Sequence, residues 1–250
     1  MTARPGWPLS RLAQGERDQR LNAHLAYLLA WVAGVLNSVG FVAVGFYTSH
    51  MTGITAGIAD QLVLGGWLFV GLGTVALVFF LIGAMACAWQ FNWARRRPRY
   101  HDERFALVLL SEAALVLVIG GLADQLDPWM LREWLLVAAL GFVMGQQNAL
   151  ITKVSDATIR TTHITGMVTD IGIELGKALY VNRLEDREPV RADVGKLTMH
   201  LTLVSLFFVG GLLGAVGYLA LGFLVLLVPA GLLLCVAVPP LLDHVPLRAR

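Results

Sequence analysis

The sequence has few charged residues for its length. Only 14% of its 250 residues are charged, 57% are hydrophobic, and the mean hydropathy is +0.68, whereas soluble globular chains carry roughly 25% charged residues. The polar surface is therefore too small to cover a body that faces water, and so apolar a composition also excludes disorder. The lipid bilayer is the predicted surrounding of this chain.

Further absences exclude several function classes. The only two cysteines, Cys87 and Cys235, each lie in an apolar run, so no disulfide framework or thiolate metal site is predicted. The basic residues form no stripe, which argues against a nucleic-acid partner. Nucleophile-elbow, P-loop, H-E-x-x-H and dinucleotide motifs are all missing. We therefore predict neither an enzyme nor a cofactor.

Long apolar runs predict an all-α polytopic membrane protein with six transmembrane helices. A helix needs about 20 apolar residues to cross the ~30 Å hydrocarbon layer. The runs cover residues 25–47, 67–93, 105–123, 134–152 and 197–242. The last run is too long for one crossing, so it is predicted to turn between Gly217 and Gly222. Two weaker helical segments, 51–64 and 164–181, contain more polar residues.

The positions of Lys and Arg predict that these two weaker segments do not cross. Cytoplasmic loops carry an excess of Lys and Arg. With six crossings and the N-terminus inside, 17 of the 19 basic residues lie inside, Arg132 lies outside, and Lys177 stays unassigned. If both weak segments crossed, only 11 would lie inside. The prediction is six transmembrane helices plus two short re-entrant or broken helices.

A duplicated motif divides the chain into two homologous halves. TSHMTG at 48–53 and TTHITG at 161–166 share the pattern T-[ST]-H-x-T-G at an offset of 113 residues, and G-x-x-N precedes each copy. The first span and its counterpart would cross in opposite directions, so the halves are predicted to be inverted repeats, as in many secondary transporters. Glycine pairs four residues apart, at 53/57, 141/145, 172/176 and 210/214, predict close helix packing.

These features predict one transmembrane domain with two short flanking segments. The N-terminal segment, 1–22, is expected to be cytoplasmic and to contain no cleavable signal peptide, because it has four arginines and no apolar stretch. The transmembrane domain covers 23–242, with repeats at about 23–123 and 129–242. Residues 243–250 are predicted to form a cytoplasmic tail.

The sequence resembles the bacterial YoaK-like membrane proteins, a group defined as a domain of unknown function. The resemblance runs from about Leu25 to Leu242. It is most specific in the segments 34–53 (GVLNSVGFVAVGFYTSHMTG) and 144–176 (MGQQNALITKVSDATIRTTHITGMVTDIGIELG). The resemblance implies a multi-pass protein of the bacterial inner membrane and names no substrate.

The duplicated motif is the candidate binding site. A short helix that begins just after each histidine would point free backbone N–H groups at the motif, and such helix ends hold anions or polar oxygens. The threonines offer hydroxyl caps, and histidine can change its charge between about pH 5 and 8. We predict that the two copies converge on one site. The candidate substrate-binding residues are Asn37, Thr48, His50, Thr52, Gly53, Asn148, Thr161, His163, Thr165 and Gly166. In the alternative interpretation these residues only cap helices, permit close packing and bond to the backbone.

Three carboxylates are candidate proton- or ion-coupling residues. Asp170 and Glu174 share one helical face with His163, Gly166 and Lys177, because the spacings are 3, 4, 4 and 3 residues. The alternative places this helix at the cytoplasmic surface, where the charges are solvated. A metal site built from the two histidines and these two carboxylates has suitable ligand types, but the two histidines come from separate halves and no metal site is predicted.

Glu112 is the third candidate, because it interrupts an apolar span. A lone carboxylate there must face the interior of the bundle and find a partner. The candidate partners are Asn37, Asn148, His50 and His163.

The sequence therefore predicts a transporter or channel for a small solute or ion, with proton coupling as a further expectation. The alternative is a non-transporting structural protein, or a sensor or partner subunit, in which the polar motifs only hold helices together. A homo-oligomer is compatible with the sequence, which does not determine the oligomeric state.

Overall fold

The computed structural model describes residues 12–13, 19–126, 131–155, 160–182 and 188–243. These residues contain α-helices and no strand, so the all-α prediction is confirmed for them. Most of the predicted cytoplasmic segment 1–22 and of the tail 243–250 lies outside the described residues. The helices are α1 (Gln19–Val44), α2 (Met51–Leu64), α3 (Trp67–Arg95), α4 (Arg104–Leu122), α5 (Leu131–Val154), α6 (Ile164–Leu179), α7 (Val194–Leu221) and α8 (Leu227–Asp243).

Five helical stretches are long and apolar enough to cross a membrane: Arg20–Val44, Trp67–Arg95, Arg104–Gln125, Leu131–Val154 and Val194–Leu242. The last has 49 residues and contains both α7 and α8, which are separated at Gly222. Gly222 has φ 60° and ψ −146°, a backbone conformation that essentially only glycine adopts. The Asp124 carboxylate accepts a hydrogen bond from the Phe223 N–H at 3.1 Å. The break therefore lies at the last residue of the interval in which the sequence predicts it.

The two weaker segments form the short helices α2 and α6. They have 14 and 16 residues, which at 1.5 Å per residue gives about 21 and 24 Å, less than the ~30 Å of a hydrocarbon layer. Each begins directly after its motif histidine. Each packs on the long helix that follows it, α2 on α3 and α6 on α7.

The long helices pair across the two halves, α1 with α7 and α3 with α5. Glycines bring the backbones of each pair into contact. A Cβ atom on Gly34 of α1 would lie 2.1 Å from the carbonyl oxygen of Phe207 in α7, and one on Gly145 of α5 would lie 2.0 Å from that of Phe80 in α3. No side chain fits at such distances, so glycine is required for this approach.

The reverse contacts use two further glycines. A Cβ on Gly210 of α7 would lie 2.2 Å from the carbonyl oxygen of Trp31, and one on Gly83 of α3 would lie 2.0 Å from that of Phe142. The predicted close packing is thus confirmed at Gly145 and Gly210. It is wrong for Gly172 and Gly176 of α6, where no atom would lie within 4 Å of an added Cβ.

Basic and aromatic side chains show which helix ends lie together. Lys153, near the end of α5, is 5.0 Å from the centre of the Phe91 ring near the end of α3, and Arg104, at the start of α4, is 5.7 Å from the same ring. Arg132, at the start of α5, is 3.6 Å from Asp124, just after α4. Helices α3 and α5 therefore run parallel, and α4 runs opposite to both.

Large apolar side chains also cover the outer faces of the long helices. Trp89 of α3 and Phe208 of α7 are each 69% exposed, and Leu219 is 77% exposed. Outward apolar surface of this extent is typical of an interaction with lipid or a protein partner. The fold therefore supports the predicted membrane protein.

Candidate functional site

Both copies of the duplicated motif line one cavity of about 680 Å³. We call it the central cavity. Its walls are the starts of α2 and α6 together with residues of α1, α3, α5 and α7. The lining residues are Asn37, Tyr47, Ser49, His50, Met51, Thr52, Phe80, Asn148, Thr152, Arg160, Thr162, His163, Ile164, Thr165 and Phe207.

Six of the ten candidate binding residues line the central cavity: Asn37, His50, Thr52, Asn148, His163 and Thr165. Thr48 and Thr161 do not line it. Both are fully buried, and their hydroxyl oxygens have no hydrogen-bond partner in the described part of the chain. Gly53 lies under the His50 ring, and Gly166 lines a neighbouring cavity. That these residues bind a substrate stays a prediction.

The two asparagines tie the motifs to the long helices. The Asn37 Oδ1 accepts hydrogen bonds from the backbone N–H of Ser49 at 3.2 Å and from its hydroxyl at 2.9 Å. The Asn148 Oδ1 accepts one from the Thr162 hydroxyl at 2.6 Å, and its Nδ2 donates to the carbonyl oxygen of Met144. Each asparagine thus fixes the residue that precedes its motif histidine, in addition to lining the cavity.

The histidines occupy equivalent backbone positions. His50 has φ −93° and ψ 63°, His163 has φ −87° and ψ 58°, and each is the N-cap residue of its short helix. A Cβ on Gly53 would lie 2.1 Å from the His50 ring, and one on Gly166 would lie 2.7 Å from the His163 ring. The glycine of the motif therefore makes room for the imidazole, which folds back over the first turn of the helix.

The predicted threonine caps are wrong. The cap position of each short helix is held by the histidine, whose side chain makes no capping hydrogen bond. The first backbone bonds of the helices run from Ile54 to His50 and from Met167 to His163. By helix geometry, the N–H groups of the three residues before each of these donors have no partner within the helix. Both short helices thus present open amide groups where they border the central cavity.

Several lining residues were not predicted. Tyr47 and Arg160 are equivalent positions at the same offset of 113, but one is aromatic and the other basic. Phe80 and Phe207 are also equivalent, near the middle of α3 and α7, at an offset of 127. The offset changes because the connection between α6 and α7 is longer than that between α2 and α3. The only sequence signal is F-x-x-G, which is too common to be specific.

A second cavity of about 420 Å³ adjoins the central cavity on the side of α6. We call it the α6 cavity. It is lined by Arg160, His163, Gly166, Met167, Thr169, Asp170 and His200. Because Arg160 and His163 line both cavities, they form the boundary between them.

Asp170 and Glu174 bind α6 to the start of α7. The Lys196 ammonium donates to Asp170 at 3.0 Å and holds the pKa of that carboxyl below its usual range. Glu174 accepts from the Lys177 ammonium at 2.9 Å, which lowers its pKa, and from the backbone N–H of Asp193 at 2.8 Å. Both carboxylates have fixed partners. Their role in coupling stays a prediction.

Glu112 lies away from the central cavity, and its predicted partners are wrong. Its side chain is fully buried between α4 and α5, where the Oε1 accepts a hydrogen bond from the Gln147 Nε2 at 2.7 Å. The Oε2 has no partner among the described residues. Beside it, Gln146 donates to Ser111 at 2.6 Å. The residues proposed as partners all line the central cavity. The Glu112 carboxyl belongs instead to a separate polar cluster between α4 and α5.

No group of three or more His, Cys, Asp or Glu side chains within the described ranges is arranged to hold a metal ion. Around the central cavity, the polar groups are instead amides, hydroxyls, imidazoles and one guanidinium. These groups can donate and accept hydrogen bonds, but within the described residues they do not form a set of metal ligands. The arrangement suits a polar or charged solute better than a resident cation.

Neither the curated proteins nor the solved structures include a match to this chain. A family described as "Protein of unknown function (DUF1275)" matches residues 25–239. The matched region contains every residue that lines the central cavity. It also agrees with the resemblance to the YoaK-like proteins, and the chain belongs to the DUF1275 family.

Proposed function

We propose that the protein is a transporter or channel for a small solute or ion in the bacterial inner membrane. The observation that carries this proposal is the meeting of two duplicated helix starts on one polar cavity. Polar groups at membrane depth are rare and commonly mark a solute or ion path. Short helices that begin near the midplane are a recurrent feature of secondary transporters.

The helix contacts support an arrangement of inverted repeats. The contact of Gly34 with Phe207 has its counterpart in that of Gly145 with Phe80. In the same way, the contact of Gly210 with Trp31 corresponds to that of Gly83 with Phe142. Each contact has a counterpart with the halves exchanged, which is what a pseudo-two-fold axis between α1–α4 and α5–α8 requires. The duplicated sequence and these reciprocal contacts favour the same symmetry.

The positions of the loops favour six crossings. The basic segment 95–104 and Lys153 lie at one end of the bundle, and Asp124, Arg132 and the turn at Gly222 lie at the other. The positive-inside rule makes the first end cytoplasmic. Phe80 and Phe207 line the central cavity from the middle of α3 and α7, which favours a position of the cavity near the bilayer midplane.

The central cavity adjoins the α6 cavity, and no cavity of comparable lining is seen beside α2 among the described residues. The α6 cavity continues from Arg160 and His163 toward Asp170 and His200, next to the start of α7. On the other side, the ring of Phe69 fills the space beside Gly57. In the six-crossing topology α7 starts in the cytoplasm, so we assign this conformation to an inward-facing state.

Flux through the central cavity can be tested with the full-length protein in liposomes. The panel contains small anions, weak acids, metal ions and neutral solutes, each with and without an imposed pH gradient. We expect saturable flux of at least one solute. Thr52→Trp, which places a ring in the cavity, abolishes it, whereas Thr55→Trp, on the same helix outside the cavity, preserves it. Flux that persists in folded Thr52→Trp would place the path elsewhere, and a folded protein that transports nothing would refute the proposal.

The alternative, a membrane protein without transport, is favoured by one observation. Asp170 and Glu174 bind the start of α7, as structural residues do. In that case Thr52→Trp would leave cellular function unchanged.

The topology is tested separately by labelling introduced cysteines in whole cells, in a Cys235→Ser background whose remaining native cysteine, Cys87, is buried. Pro98→Cys and Glu188→Cys are expected to react from the same side, and Leu126→Cys from the opposite side. Any other pattern would overturn the six-crossing arrangement.

A further inference from the structure

The charge of the central cavity indicates the class of solute. Arg160 is the only Lys, Arg, Asp or Glu side chain that lines it within the described part of the chain. Two histidines add groups that are neutral or positive. No carboxylate of the described residues forms an ion pair with Arg160, although it also borders the α6 cavity, which contains Asp170. The site therefore has an excess of positive charge.

The two short helices add to this positive potential. Met51 and Thr52 line the cavity at the start of α2, and Ile164 and Thr165 line it at the start of α6. The N-terminus of a helix acts as roughly half a positive charge and presents free N–H groups. Because both starts border the same space, their contributions add at its centre.

A buried amide supplies an independent hydrogen-bond donor. Asn37 lines the cavity and is only 7% exposed. Its Oδ1 accepts both hydrogen bonds from Ser49, while its Nδ2 has no hydrogen-bond partner in the described residues. This orients the donor side of the amide away from Ser49 and leaves it free for a ligand. The equivalent Nδ2 of Asn148 already donates to Met144.

From these three features we propose that the central cavity binds a small anion, coordinated by Arg160, the Asn37 amide and the two helix starts. The ligands that fit this site share a negative charge, which is carried by an oxygen atom or a halide. A cavity of about 680 Å³ also has room for a small organic carboxylate, whose apolar part would contact Phe80 and Phe207. This inference rests on the proposed function only for the direction in which the anion then moves.

Binding is measured on the purified full-length protein in lipid nanodiscs, by thermal unfolding at constant ionic strength. Sodium chloride, nitrate and sulfate form one arm, and sodium acetate, lactate and benzoate form the other, with choline, potassium and glucose as cationic and neutral probes. We expect saturable stabilisation by members of one anion arm. Arg160→Gln is expected to raise the apparent Kd of the anion by about tenfold or more, because a charge-assisted contact is lost. Arg160→Lys is expected to retain most of the affinity. Arg97→Gln, which removes an arginine outside the cavity, is the matched control.

The outcomes separate this inference from the proposed function. Saturable binding or flux of a cation or a neutral solute that is unchanged in Arg160→Gln would overturn the anion assignment and leave transport intact. Anion binding without flux of any solute would support the site and refute transport. If no anion stabilises the folded protein, the inference is wrong.

Discussion

The two halves of the chain make equivalent helix contacts with different side chains. In the first half, the ring of Phe69 in α3 lies against Gly57 of α2. In the second half the equivalent positions, at the offsets 127 and 113, are Lys196 and Asp170, which form an ion pair at 3.0 Å. The contact between the short helix and the following long helix is kept, but its chemistry changes from apolar to ionic.

The surroundings of the two contacts differ as well. Phe46, Ile54 and Leu72 of the first half belong to a small buried apolar cluster that also contains Val137 of α5. In the second half, the α6 cavity lies beside Asp170 and His200. A duplicated scaffold can thus have different surroundings at equivalent contacts, because glycine-mediated backbone contacts fix the helices while side chains at equivalent positions diverge.

The largest expected effect comes from the reciprocal glycine contacts. Gly34→Ala and Gly145→Ala each force a Cβ against a backbone carbonyl, at about the same distance in both halves. Overpacking of this kind costs about 1–3 kcal/mol and more where no side chain can move aside. We expect both variants to lower the unfolding temperature strongly and equally, measured by fluorescence-detected size exclusion after heating.

Gly172→Ala is the matched control for this comparison, because an added methyl group there meets no atom within 4 Å. It is expected to leave the unfolding temperature unchanged or to raise it, since alanine favours helix. If only one of Gly34→Ala and Gly145→Ala destabilised the protein, the two-fold relation between the halves would be wrong.

The next effect concerns a contact that the halves do not share. Gln147 of α5 binds Glu112, whereas the equivalent position in α1 is Leu36. Glu112→Ala leaves the buried Gln147 amide without a partner, which costs about 1–3 kcal/mol. Glu112→Gln keeps the shape and the acceptor, so its unfolding temperature is expected to remain near that of the wild type.

The same two variants test the predicted coupling role of Glu112. In liposomes, folded Glu112→Gln is expected to lose the dependence of flux on the pH gradient while passive flux continues. If the pH dependence were retained, Glu112 would be a structural residue and the coupling prediction would fail.

The sequence predicts the helices well because their signals are local. The bounds of α2 follow from apolar periodicity after a polar motif, and the predicted segment 51–64 coincides with the observed helix. The end of α7 is set by one glycine. Convergence of the motifs could also be expected, because the duplication and the charge distribution together require opposite orientations.

Contacts between distant segments could not be predicted in the same way. The partner of Glu112 depends on which face of α5 packs against α4, and neither helix has a strongly one-sided pattern. Arg160 was missed because its equivalent, Tyr47, has different chemistry and lies outside the six-residue motif. The glycines of α6 look like those of α7, yet only the latter contact another helix.

The asparagine contacts offer a smaller and more symmetric test. Asn37→Ala removes two hydrogen bonds to Ser49, and Asn148→Ala removes one to Thr162 and one to Met144. Each variant loses two hydrogen bonds and is expected to lose about 1–2 kcal/mol of stability, since the net contribution is roughly 0.5–1.5 kcal/mol per bond and these bonds are only partly buried. The measurement is chemical unfolding followed by tryptophan fluorescence.

The exposed Asn92→Ala is the control for these two variants and is expected to be neutral. Unequal losses from Asn37→Ala and Asn148→Ala would indicate that one motif is held by other contacts. The equivalence of the two helix starts would then be limited to their backbone conformation.

The smallest expected effect tests the ionic contact itself. Because the Lys196 ammonium lowers the pKa of Asp170, the folded state binds that proton more weakly than the unfolded chain does. The pair therefore stabilises the fold above the usual Asp pKa of about 3.9 and loses this contribution as the pH falls through the lowered value.

Asp170→Asn should be less stable than the wild type at pH 7, by less than the variants above because the pair is partly exposed, and the difference should shrink at pH 3. Asp60→Asn, on the equivalent short helix of the first half, should show no such change. A difference for Asp170→Asn that stays constant with pH would mean that the contact between α6 and α7 is maintained by packing, as it is between α2 and α3.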